Sequence, residues 1–112
     1  MRLIYCQMQI FFHVLNSYEQ NSLILCHNHP GLSFFSMNDI NIFMKYNSIK
    51  TMTIVTNTGN VMYISKNDKF KFIKAKEAMI ECVKEYGDNL NKCVEIFVKN
   101  GYNYGIEYSK RG

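Results

Sequence analysis

The sequence predicts an α+β fold, a small mixed or antiparallel sheet of three or more strands packed with helices, and three observations carry it. Leu23-Ile-Leu-Cys26, bounded upstream by Asn21-Ser22, is a short apolar run of the kind that forms a buried strand. Ile49–Val55 and Val61–Ser65 are alternating, β-branched segments around the Gly59-containing connection 56–60, which is a hairpin signal. From Asp68 to Asn100 the apolar residues recur at threes and fours, which is the helical period. At 112 residues and 47% hydrophobic content, the chain has the material for one core, so residues 1–112 are expected to form a single domain. Its parts are a core segment 21–66, a helical hairpin 68–101 and a tail 102–112.

Taken in order, Leu3–Leu15 fits two templates. Met8, Ile10 and Phe12 alternate as in a strand, whereas Ile4, Met8, Phe11, Phe12 and Leu15 make a helical stripe, and a helix is expected. The wider run Met1–Leu15 is interrupted by Arg2, Gln7, Gln9 and His13, which argues against a membrane span, and it has no small-residue cleavage site. The strand at Leu23 runs on into His27 and His29, where Pro30 and Gly31 stop it. Ser36-Met-Asn-Asp39 then opens a helix to about Tyr46, with Ile40, Phe43 and Met44 inward. After the hairpin, Phe72, Ala75, Met79, Cys82, Val83 and Tyr86 form the inner stripe of a helix that Gly87 ends. Asn89 starts another, with Leu90, Cys93, Val94, Phe97 and Val98 inward and Asn100-Gly101 as its stop. The tail brings Tyr102, Tyr104 and Tyr108 and a basic end, and it either packs on the body or marks the junction with a longer parent chain.

Composition excludes several classes. A formal net charge of +4 is well short of a dedicated nucleic-acid binder. Lys66, Lys69, Lys71, Lys74 and Lys76, interleaved with Phe70 and Phe72, form the most basic patch, expected to be a solvated helix face beside core aromatics. Cys6, Cys26, Cys82 and Cys93 have no Cys-x-x-Cys spacing and are expected as free thiols in a reducing cytoplasm.

The chemistry concentrates between His27 and Asp39. Side chains on a strand alternate faces, so His27 and His29 point the same way and two imidazoles can grip one ion. A loop that folds back brings Asp39, in the first turn of the helix, to the same ion. Two histidines and a carboxylate form a three-ligand set with the fourth position open, as in catalytic zinc sites, and Ser36 lies beside that position. The plainer reading of Ser36 and Asp39 is a capping box, and the two roles are compatible.

His27-Asn-His29-Pro30, a loop, then Ser36-x-x-Asp39 resembles the His-x-His-Pro and Ser-x-x-Asp signature of the JAMM/MPN zinc metallopeptidases, in the RadC-like and phage-associated bacterial branch. The resemblance covers roughly residues 21–66, and the loop Gly31–Phe35 is shorter than that family's usual spacer. It implies a JAMM/MPN-like, cytidine-deaminase-like layering, with Zn2+ held by His27, His29 and Asp39 and an oxyanion stabilised by Ser36. It also implies a general base from an upstream Glu. The acidic residue before His27 is Glu19, in the polar turn 16–22, which makes it the candidate base. The expected activity is hydrolysis of a peptide or isopeptide bond in a protein substrate, in the cytoplasm of a bacterial or phage-infected cell. Without a base, the alternative is a degenerate module that serves as an interaction or structural part of a phage or mobile-element protein. A weaker alternative is a RadC-like DNA-associated accessory protein.

Overall fold

The computed structural model describes residues 2–5, 18–29 and 33–111, and for residues 2–5 and His27 it describes the backbone alone. Among these described residues, five strands and three α-helices follow in the order β1 (Arg2–Tyr5), β2 (Leu23–His29), α1 (Met37–Lys45), β3 (Ile49–Thr56), β4 (Val61–Lys66), α2 (Phe72–Tyr86), α3 (Leu90–Lys99) and β5 (Ile106–Arg111). A turn of 3-10 helix, Gly101–Tyr104, leads into β5. The strands form one sheet whose spatial order is their chain order, β1-β2-β3-β4-β5. β1, β2 and β3 run parallel, and β3, β4 and β5 antiparallel. The fold is thus α+β with a mixed sheet.

The parallel half needs a crossover, because a parallel partner cannot be reached by a tight turn. α1 is that crossover between β2 and β3. Its residues Ile40, Ile42, Phe43 and Met44 are buried, while Asn38, Asn41 and Lys45 face solvent, as the helical period dictates. The antiparallel half is built by the hairpin at Gly59, whose φ of +85° suits a residue without Cβ.

Strand alternation divides the sheet. Leu23 and Leu25 on β2, Met52 and Ile54 on β3, and Met62 and Ile64 on β4 are buried and meet Phe43, Phe97 and Val98 from the helices. Each such side chain contributes on the order of 1.5–3 kcal/mol by leaving water. The opposite face, with Ile24, Thr51, Thr53, Val55 and Tyr63, is half-buried.

Several expectations are corrected. Residues 3–5, part of the run 3–15 expected as a helix, belong with Arg2 to a strand, paired with β2 from Arg2↔Leu23 to Tyr5↔Cys26. The remainder of that run, with Cys6 and His13, lies outside the described residues. The tail packs on the body, the first of its two expected fates, and does so as a strand not expected there: its residues Ile106–Arg111 form β5, paired with β4 from Val61↔Arg111 to Lys66↔Ile106. Gly105 starts it at φ +85°, and a Cβ there would stand 2.2 Å from the Phe70 backbone nitrogen. Leu90 is 51% exposed and Val83 is exposed, so neither belongs to the inner stripe of its helix. Leu90 opens α3 before the helix reaches the core, and Val83 lies at the edge of α2's buried stripe, on the side of Met79 away from Cys82, where it is 40% exposed. Gly87 caps α2 in a right-handed conformation, φ −63°, rather than a left-handed one. Lys66, placed in a solvated patch, is buried: alternation after Met62 and Ile64 turns it inward.

Cys26, Cys82 and Cys93 are free thiols. The Cys93 thiol donates to the Tyr86 carbonyl at 3.1 Å, which satisfies the end of α2 from within α3. No helix among the described residues is long and apolar enough to cross a membrane.

Candidate metal and hydrolase site

The site is made where β2 ends and α1 begins. β2 extends through His29, so the last strand residue carries its imidazole on the helix-covered side, the side of Leu23 and Leu25. The segment Ser33–Ser36 returns to the start of α1. Ser36 is the N-cap: its Oγ accepts from the Asp39 N–H at 3.0 Å, and the Ser36 N–H donates to Asp39 Oδ2 at 2.8 Å. This reciprocal box fixes the rotamer of Asp39, which is only 6% exposed.

Asp39 Oδ2 also stands 3.1 Å from His29 Nε2, and His29 Nδ1 is 3.0 Å from the Phe34 carbonyl. A carbonyl only accepts, so Nδ1 donates its proton to Phe34. The opposite ring nitrogen then meets a carboxylate oxygen, and two lone pairs at that distance repel unless a cation lies between them. A proton on Nε2 satisfies the pair as an ion pair. A metal ion satisfies it equally: two ligands with bonds of about 2.0–2.1 Å in a tetrahedral site lie about 3.3 Å apart. The backbone carbonyl on the far ring nitrogen is also the support that metal-bound histidines commonly have. The donor types and the spacing of His29 and Asp39 therefore fit zinc.

His27 stands two residues earlier on the same strand, paired with Ile54 of β3, and its side chain lies outside the described residues. Among the described residues no three His, Cys, Asp or Glu side chains gather as a ligand set. Of the predicted site, His29, Ser36 and Asp39 are brought together. Glu19 is not: it is exposed in the turn before Leu23, where its carbonyl accepts from Ser22 Oγ at 2.7 Å. That is the other end of β2, and a strand of this length spans about 20 Å.

A cleft of about 440 Å3 opens beside His29 and Ser36, walled by Ser33, Phe34 and Phe35 and, across from them, by Asn91 and Glu95 of α3. Phe34 is fixed edge-on to Phe35 and to Tyr108 of β5, at 5.2 and 5.6 Å between ring centroids. Glu95 pairs with Lys99 at 3.0 Å, and that hydrogen bond and charge hold its carboxyl below the usual range. Asn91 and Glu95 carry no signal in the sequence that assigns them to this cleft. They are an i, i+4 pair on the rim of an amphipathic helix, and nothing local ties that rim to the histidine strand; only the packing of α3 against the sheet does. Compared with known proteins, the chain matches no family model, no curated protein and no solved structure.

Proposed function

We propose that this chain is a zinc-dependent hydrolase domain of the JAMM/MPN type that cleaves a peptide or isopeptide bond in a protein substrate. The observation that carries the reading is the His29 Nε2–Asp39 Oδ2 approach of 3.1 Å, with the opposite ring nitrogen held by Phe34. His27, His29 and Asp39 would hold the metal. Bound there, zinc would supply Lewis acidity and a water ionised near neutral pH.

The chain's own groups supply the rest. The capping box keeps the Asp39 carboxylate in one rotamer, and the Phe34 carbonyl keeps the His29 ring in one tautomer, so the donors are oriented before a ligand arrives. Ser36, exposed at the cleft, presents a hydroxyl suited to donating to a developing oxyanion, a contribution on the order of 10²-fold in comparable sites. Phe34 and Phe35 form an apolar wall against which an extended substrate can lie. For proton transfer, Glu95 takes the role first assigned to Glu19, because it is the carboxylate that lines the cleft; its pairing with Lys99 keeps it ionised and lowers its basicity, so Lys99 must give way for it to accept a proton.

Two observations favour a second reading, the non-catalytic interaction module. Glu19 lies far from the histidines, and the His29–Asp39 pair closes as a structural ion pair with a single proton. Elemental analysis of purified protein, beside a His27→Ala/His29→Ala double variant, separates the two. Stoichiometric zinc that the double variant loses supports the hydrolase reading. No zinc in the parent protein, even after incubation with the metal, overturns it.

A further inference from the structure

A second chemical feature stands at the opposite end of the sheet. Lys66 is the last residue of β4 and is 3% exposed. Its Nζ donates to the Tyr46 carbonyl at the end of α1 at 2.9 Å, and lies 4.8 Å from the Phe43 ring centroid and 5.1 Å from that of Phe70. The ion pairs among the described residues are His29–Asp39, Lys84–Glu81 and Lys99–Glu95, and none includes Lys66. Lys66 lines a small polar pocket of about 180 Å3, whose other walls are Gln20, Asn21, Asn47, Asn67, Asp68 and Phe70. Lys50 from β3 turns its own ammonium to the Lys66 carbonyl at 3.0 Å, adding positive charge nearby.

A lysine that only capped a helix would keep its head in water, where the charge costs nothing. Here one carbonyl and two ring faces replace the hydration of an ammonium, and burial pushes the amine down to about 7. At neutral pH much of Lys66 therefore carries a lone pair, the condition that makes a lysine a nucleophile. Amide side chains on the pocket walls offer donors to a carbonyl oxygen, and the Asp68 carboxyl is a group through which a proton can pass.

We propose that Lys66 is a reactive amine that condenses with a small aldehyde or ketone held in this pocket, forming a Schiff base. The Nζ lone pair forms the C–N bond, the carbonyl π pair moves to oxygen and takes a proton, and nitrogen gives one up. Loss of that hydroxyl as water, with the second proton coming from nitrogen, then lets the nitrogen lone pair form the C=N bond. One water is released for each carbonyl compound bound, and no oxidant or reductant enters. This site is independent of the metal site, and stands or falls apart from it.

The test incubates the folded, full chain with propanal and cyanoborohydride at pH 7 and follows each lysine by peptide mass mapping. Lys66 is expected to be alkylated roughly tenfold or more faster than exposed Lys69, Lys74 and Lys84, because a far larger fraction of it is neutral. In a Lys66→Met variant the fast adduct disappears while the slow ones persist. Site-resolved rates in the parent protein decide the matter even where that variant fails to fold. Alkylation of Lys66 no faster than of the exposed lysines overturns the proposal.

Discussion

Burying Lys66 has a thermodynamic signature that can be read without any ligand. Its amine titrates near pH 7 in the fold and near 10.5 in a solvated chain. Between these values the unfolded chain binds more protons than the folded one, so stability rises with pH across that window. The cost of the buried ammonium is fully present below pH 7 and is relieved as pH climbs toward 10.5. Its ceiling is about 5 kcal/mol, at 1.36 kcal/mol per unit. Between pH 6 and pH 9 the titration of this one group amounts to about 2.5 kcal/mol. The perturbation is Lys66→Met, which keeps the chain length and apolar stem and removes the titration. The assay is urea unfolding of both proteins at pH 6, 7, 8 and 9. Subtracting the two curves removes the histidines, thiols and tyrosines common to both, and the parent protein is expected to gain about 2.5 kcal/mol on the variant over this range. Loss of the hydrogen bond to Tyr46 shifts the variant by a constant and leaves the slope alone. Parallel curves, whose separation stays constant to within about 0.5 kcal/mol from pH 6 to pH 9, would refute the argument.

Two further predictions bear on the fold and the site. Asp39→Asn keeps an oxygen for the Ser36 N–H, so metal-free stability should fall by less than about 1 kcal/mol, whereas Asp39→Ala loses the cap and should cost about 1–2 kcal/mol. Zinc affinity, by competition with a chromophoric chelator, should drop at least about tenfold in both variants, and unchanged affinity in either removes Asp39 from the ligand set. Gly105→Ala should destabilise by about 2–5 kcal/mol in chemical denaturation, because the left-handed backbone and the contact with the Phe70 backbone penalise any Cβ there.

Legibility in the sequence followed the range of the forces involved. Where a segment's own period and caps decide its structure, as in the hairpin 49–66 and the helix at Ser36, the residues announce it. The capping box is a contact between residues three apart, so Ser36 and Asp39 could be paired on paper. The fold of the helical hairpin was likewise legible, though Leu90 was misplaced because an apolar residue at a helix start need not face the core. β1 and β5 were not legible. Both are short edge strands, and pairing with β2 and β4 supplies what their own pattern lacks. Lys66 was misread for a similar reason: its charge said solvent, whereas the parity of β4 said core, and parity won. The cleft's α3 wall depends on tertiary packing that no local pattern encodes.

The order of strands across the sheet has a consequence for how the protein is made. Because spatial and chain order coincide, each strand leaving the ribosome finds its sheet neighbour already synthesised, and no strand must be inserted between two others. His29 and Asp39 are in hand, capped and facing each other, by the time α1 is complete. Asn91 and Glu95 arrive only with the last helix. A nascent chain therefore passes through a stage at which the His29–Asp39 pair exists without the α3 wall that gives the cleft its shape, so the polar pair is assembled before the cleft beside it.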